Sequence, residues 1–236
     1  MGGCRIALVA LLAAWSAPLA AQLPVAPTLP AGDPWSVVQL TQGGDVAGRF
    51  DYYLLSMSWS PQYCVKAKNS SRDKVQCQER NYGFVSHGLW PQYTRGYPRE
   101  CPTQEKFDLG KVDIDRLLPV MPSDSLIRHE WRAHGTCSGL PAKDYFALME
   151  RAFQSIKIPL EYTNPGADIV TSAALLRQRF AVNNPGLPIA AIVPMCDGQY
   201  LQEVRLCLTR DLVPRACTVE IRSDCRQEKL ILRPMR

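Results

Sequence analysis

HEWRAHGTC, His129 to Cys137, sets two imidazoles, the Glu130 carboxylate and the Arg132 guanidinium within six consecutive positions. The chain has three histidines, and the third, His87, sits in a second dense stretch, SHGLWPQY, Ser86 to Tyr93. Imidazole titrates near neutrality, so one ring can accept a proton while another donates one. On a helix, His129 and His134 are separated by about 140°, with Glu130 on the arc between them. A zinc-binding helix would need H-E-x-x-H. Here the spacing is H-E-x-x-x-H, and the extra residue turns the second ring away by about 100°. A metal-dependent hydrolase using His87, His129 and His134 is therefore the weaker reading, and neither a metal nor a cofactor is expected.

RNA carries its own nucleophile, the 2′-OH. Its cleavage needs one group to take that proton, one to protonate the leaving 5′-oxygen, and donors around the phosphate. The formal charge of +5 suits a polyanion without requiring one.

Phe50–Trp59 and Tyr82–Leu89 read as strands, the second carrying His87 near its end. Leu109–Leu118 is a short helix. The segment PSDSLIRHEWRAHG reads as a helix with Ser123 or Asp124 as N-cap and Gly135 as the residue just past its C-terminus. Lys143–Ile156 is amphipathic, and Ser172–Val182 is a further helix. Tyr200–Leu208 and Cys217–Ile221 read as strands. Helices and strands without regular βαβ spacing predict an α+β fold. The expected form is a single domain with a central, mostly antiparallel sheet flanked by helices.

Residues 1–21 read as a secretory signal peptide, with Arg5, an apolar run from Ile6 to Trp15, and small residues before a cut after Ala20 or Ala21. Residues 22–36 are a proline-rich lead-in, and 37–236 form the domain. The product is expected to be exported, periplasmic or secreted, monomeric and free of the membrane after cleavage. Cys4 leaves with the signal, and an even set remains: Cys64, Cys77, Cys101, Cys137, Cys196, Cys207, Cys217 and Cys225. That predicts four disulfides, and spacing alone leaves their connectivity open. Asn69-Ser70-Ser71 is a glycosylation sequon, meaningful only in a eukaryotic source.

SHGLWPQY and HEWRAHGTC resemble the two active-site segments of the ribonuclease T2 family, H-G-L-W-P and H-E-W-x-K-H-G-T-C. The stretch SWSPQYC, Ser58–Cys64, resembles that family's N-terminal strand. The resemblance runs over roughly residues 50–225 and implies a metal-independent endoribonuclease of little base specificity, acting on single-stranded RNA. It implies 2′,3′-cyclic phosphate products, then 3′-phosphates in some members. Carried over by position, His134 is the base and His87 the acid, though the two roles are argued both ways. Glu130 steadies the charged groups, and His129, with Arg132, holds the phosphate. Trp90, and more weakly Tyr93 and Tyr97, are candidates for stacking on a base. The implied disulfides are Cys64–Cys77, Cys101–Cys137, Cys196–Cys225 and Cys207–Cys217.

One position departs from the family pattern. Ala133 stands where the family has Lys, at the centre of the arc that His129 and Glu130 define. The expectation is a working but slower enzyme, with Arg132 as a partial substitute. The alternative is a catalytically weakened RNA-binding or cytotoxic protein on the same scaffold.

Overall fold

The structure, a computed structural model, describes residues 45–67 and 73–235 besides Met1. The expected signal peptide and lead-in lie outside the described residues, as does the sequon at Asn69.

The organising element is β1, Tyr52–Trp59. Side chains alternate across a strand. Tyr53, Leu55, Met57 and Trp59 join the main apolar core. Tyr52 and Leu54 enter a smaller cluster with Cys207 on the other face, and that face continues through Ser56 and Ser58. β2, Phe84–Gln92, pairs antiparallel with β1 on one side, and β5, Tyr200–Leu208, pairs antiparallel on the other. β5 repeats the alternation: Val204, Leu206 and Leu208 face the core. Glu203, Arg205 and Cys207 take the alternate positions. The result is one wall of polar side chains spanning three strands, backed by a greasy layer that holds it rigid.

β4, Ile192–Asp197, flanks β5 from the other edge, while β3, Ile169–Thr171, pairs with β6, Leu230–Leu232. Among the described residues, every strand pairing is antiparallel except a short parallel contact between β5 and β6. The α+β architecture expected from the sequence is the one observed. α2 (Lys111–Leu117), α3 (Asp124–Ala133), α4 (Ala142–Gln154) and α5 (Ala173–Asn183) fall where the periodicity puts them. Tyr145, Phe146, Met149 and Ala152 of α4 are the residues that fill the core beneath β1 and β2.

Three expectations need correction. Cys217–Ile221 is not a strand: Ile221 N donates to Thr218 O in a turn, and Cys217 is tied to Cys207. The SWSPQYC stretch is strand only as far as Trp59, and Ser60–Ala67 is α1. Pro61 fits there because a first-turn N–H has no helical partner to lose. β2 runs on to Gln92, so His87 lies in its middle rather than near its end.

All four disulfides join the pairs the family resemblance implies: Cys64–Cys77, Cys101–Cys137, Cys196–Cys225 and Cys207–Cys217. Among the described residues, no helix is long and apolar enough to cross a membrane.

Candidate active site

His87 owes its direction to an irregularity in the sheet. Ser56 pairs with Gly88 and Met57 pairs with Ser86, so His87 is the extra residue of a bulge. A bulge bends the strand and re-aims a side chain. Gly88 follows for a steric reason. A Cβ there would lie 2.1 Å from Glu130 Oε2 and 2.4 Å from Trp90 Nε1. Only a residue without a side chain lets α3 approach β2 this closely.

α3 starts where the sequence places it, with the Ser123 hydroxyl accepting from Leu126 N at 3.3 Å. Ile127, Glu130, Trp131 and Ala133 are its buried residues. Glu130 is 1% exposed. Trp90 Nε1 donates to Glu130 Oε2 at 2.7 Å, and Glu130 Oε1 lies 3.7 Å from His87 Nε2.

The helical wheel fails at the C-terminal end. The helix stops at Ala133, and His134 has a non-helical backbone (φ −130°, ψ −44°). Gly135 does not cap in the left-handed region but opens a 3-10 turn, Gly135–Cys137. It is required because a Cβ would sit 2.4 Å from Trp131 Cε3 and 3.0 Å from the Tyr145 ring. This turn carries His134 against Trp90 in a stacked arrangement, with ring centroids 5.2 Å apart and planes inclined by 30°. His87 meets the same indole edge-on at 5.1 Å. The three side chains therefore form a row, His87–Trp90–His134, with Glu130 bonded to its middle member.

Ala133 is not on the open side of this row. It is fully buried, and its carbonyl accepts from Glu100 N at 3.0 Å. The loop covering it is held at several points. Glu100 adopts a left-handed φ of 51°, Arg99 N donates to Asp45 Oδ2 at 2.9 Å, and Cys101 is bonded to Cys137. This loop brings Arg99 alongside His134 and Trp90 in the wall of one cavity.

Two cavities flank the row. One, of about 470 Å³, is lined by His87, His129, Arg132, Ser58 and Glu203 among others. The second, of about 430 Å³, is lined by Trp90, Tyr97, Arg99, His134 and Arg205 among others. Arg132 sits 3.3 Å from His129 Nδ1. Tyr93 lines neither cavity: its hydroxyl donates to Asp45 and its ring packs against the core. The Trp90 indole is engaged by His87, His134, Glu130 and the Arg205 guanidinium, 5.2 Å from the ring centre. Tyr97, 54% exposed on the second cavity, has the freer ring.

Sequence reasoning missed Glu203, Arg205 and Arg99. Glu203 is 3% exposed and its Oε1 lies 2.6 Å from His87 Nδ1. It sits at an alternate position of β5, where a charged residue reads as facing solvent. Arg99 sits in a loop without periodicity.

The electrostatics set the two outer rings apart. Burial works against a charged His87, but the hydrogen bond and charge of Glu203, with the charge of Glu130, outweigh it and raise its pKa. His134 moves the other way, down to about 3, through burial and then the charges of Arg99, His129 and His87. His134 Nδ1 is buried with no hydrogen-bond partner among the described residues. Burial pushes Glu130 up to about 7, against the pull of His87, Trp90 and Arg99. Burial opposes the charge on Glu203 too, yet His87 and Arg205 hold it down at about 2. His129 is lowered by burial, then by Arg132 and Arg99.

A polar wall on an antiparallel sheet, faced by a histidine-bearing helix and pinned by four disulfides, defines a fold class with known members. An RNase-related protein from Calystegia sepium superposes with a TM-score of 0.63 at 20% identity, covering 79% of this chain and 98% of that one. A mutant of RNase MC1 in complex with 5′-UMP gives 0.60 at 22%, covering 77% and 98%. In sequence, the chain is 47% identical to a ribonuclease of Aeromonas hydrophila over 115 residues, 49% of this chain and 50% of that protein. It is 33% identical to a probable ribonuclease of Haemophilus influenzae over 132 residues, 50% of this chain and 47% of that protein. The matches thus span about half the length of these two relatives. The Ribonuclease T2 family model matches residues 50–217. The chain belongs to the ribonuclease T2 family.

Proposed function

We propose that this protein is a metal-independent endoribonuclease that cleaves single-stranded RNA by transesterification. One observation carries the reading: two histidines on either side of one indole are biased to opposite protonation states. Neutral His134 takes the 2′-OH proton as O2′ attacks phosphorus. The P–O5′ bond breaks, and cationic His87 delivers its proton to O5′. The products are a 2′,3′-cyclic phosphate and a 5′-hydroxyl. Water then opens the ring to a 3′-phosphate with the two histidines in exchanged roles. A value near 3 is low for a base, and the incoming phosphate corrects this, since an adjacent negative charge raises an imidazole pKa.

An RNA strand with one nucleotide in each cavity sets its phosphodiester across the row. His129 and Arg132 meet the phosphate from one side. The cation missing at position 133 comes from Arg99, whose charge acts on His129, Glu130 and His134 alike. Tyr97 is the ring best placed to stack on a base, and stacking tolerates any base. Arg99→Ala is expected to slow RNA cleavage on the order of 10²-fold, the usual cost of one transition-state donor. Adding Ala133→Lys to that variant restores part of the rate, because it returns a cation to the position where the family pattern has Lys. Steady-state rates of the single and double variants check both statements.

The export signal at 1–21 and the four disulfides support an oxidising compartment, periplasmic or extracellular, with residues 37–236 acting as a monomeric catalytic domain.

The reading is tested by incubating the mature, oxidised protein with mixed RNA, and separately with single-stranded DNA, in excess EDTA. Soluble nucleotides are released from RNA only. Cleavage of DNA, or abolition by EDTA, sinks the proposal. Binding of RNA without turnover identifies the lapsed scaffold instead.

A further inference from the structure

Among the described residues, the hydrogen-bond partners of the Glu203 carboxylate other than His87 are all donors. Ser58 Oγ donates to Oε1 at 3.4 Å, and Ser56 Oγ donates to Oε2 at 3.0 Å. Arg205 reaches Oε2 twice, from Nε at 2.9 Å and Nη2 at 2.8 Å. An ionised carboxylate only accepts. The remaining partner, His87 Nδ1 at 2.6 Å, must therefore carry a hydrogen. The neutral tautomer of His87 is fixed, and Nε2 is the nitrogen left to gain and lose a proton.

We propose that Glu203 is a positioning residue for His87: its buried carboxylate holds the Nδ1–H and thereby makes Nε2, on the Glu130 side of the ring, the atom that transfers the proton. The proposal rests on the reading of His87 as the acid in RNA cleavage. The charge is needed as well as the shape. A glutamine would turn an NH₂ group either towards the Arg205 guanidinium and Ser56 or towards Nδ1–H and Ser58, opposing donor to donor. The sheet makes the arrangement possible. β1 lies between β2 and β5, so the carboxylate crosses a strand to reach His87, and only the short Ser56 and Ser58 side chains lie beneath it.

His87 also feels other groups. Arg205 on β5 opposes its charge. From α3, Glu130 favours the cation, and the charge of His87 in turn lowers the pKa of His129 and of His134 just beyond the helix. Arg132 and Asp73 line the same cavity. Glu203 is the group bonded to the ring, and its loss removes both the hydrogen bond and the charge that favour the cation. Burial remains, so the His87 pKa falls.

The experiment is nitrogen NMR of the whole oxidised protein with labelled histidine, each ring assigned through its single variant. In the unsubstituted protein His87 is expected as the Nδ1–H tautomer, titrating above 6.5. In Glu203→Gln the titration drops by about one unit or more. The alkaline limb of kcat for RNA moves to lower pH with it, and kcat falls by between about 10² and 10⁴ while KM changes little. Glu203→Asp, which keeps the charge, recovers part of both. In a His87→Ala background Glu203→Gln costs no further rate. An Nε2–H tautomer in the unsubstituted protein overturns the proposal without any variant having to fold. So does an unchanged His87 titration in folded Glu203→Gln. Absence of RNA cleavage would refute the proposed function, while the tautomer and titration would still decide the part assigned to Glu203.

Discussion

His87→Ala lowers RNA cleavage by about 10²–10⁴-fold, the range that a positioned proton donor contributes, and His134→Ala lowers it comparably. The two variants part company on a substrate whose bridging 5′-oxygen is replaced by sulfur. A thiolate leaves without a proton, so an acid is superfluous there. His87→Ala cleaves that substrate nearly as fast as the unsubstituted protein does. His134→Ala does not, because the 2′-OH still needs a base. The reverse pattern would exchange the two roles and contradict the opposed electrostatic environments of the rings. Equal loss in both variants would mean that His87 serves to bind the phosphate rather than to protonate the leaving group.

Gly88→Ala is the second large effect, from a residue that never touches substrate. The added methyl would lie 2.1 Å from Glu130 Oε2 and 2.9 Å from its Cδ, and 2.4 Å from Trp90 Nε1. None of these groups has room to yield, since Glu130 is buried and the indole is hemmed in by two imidazoles. The substitution breaks the Trp90–Glu130 hydrogen bond and leaves a buried carboxylate short of a donor. An unsatisfied buried group costs about 1–3 kcal/mol, more when charged. In a domain of this size that corresponds to a fall in Tm of roughly 2–4 °C per kcal/mol. RNA cleavage drops on the order of 10²-fold, because the row His87–Trp90–His134 loses its spacing. Thermal melts and steady-state rates report the two losses separately. A melt and a rate both unchanged would show that α3 does not need the close approach.

Much of this site is legible in the residues because it is local. The helix carrying His129 and Glu130, its Ser123 cap and the helices behind it follow from hydrophobic period and capping chemistry. What escaped is what depends on pairing across strands. Glu203 and Arg205 read as a solvent-facing alternation, since nothing in LQEVRLCL says that β1 will set hydroxyls beneath them and that β2 will bring an imidazole within 2.6 Å. The bulge that releases His87 is equally silent, being a mismatch between two strands. β4 hides for another reason: Pro194 argues against a strand, and an edge position tolerates it. Extending the helix one residue too far misplaced His134, while Ala133, inside α3, departs from the family pattern on a face that the structure buries. The chain turns at His134, and the loop that covers position 133 brings its own guanidinium.

The strand order also has a consequence for the chain as it is made. β1 and β2 are neighbours in sequence, but β5, which completes the sheet beside β1, lies 116 residues beyond His87 at Glu203. Pairings over such separations form late, after the closure entropy of a long loop has been met. A growing polypeptide therefore displays both histidine segments well before it holds the carboxylate that orders His87. On the proposed mechanism, the unfinished chain is therefore expected to cleave RNA slowly, because its acid still lacks the carboxylate that fixes the tautomer.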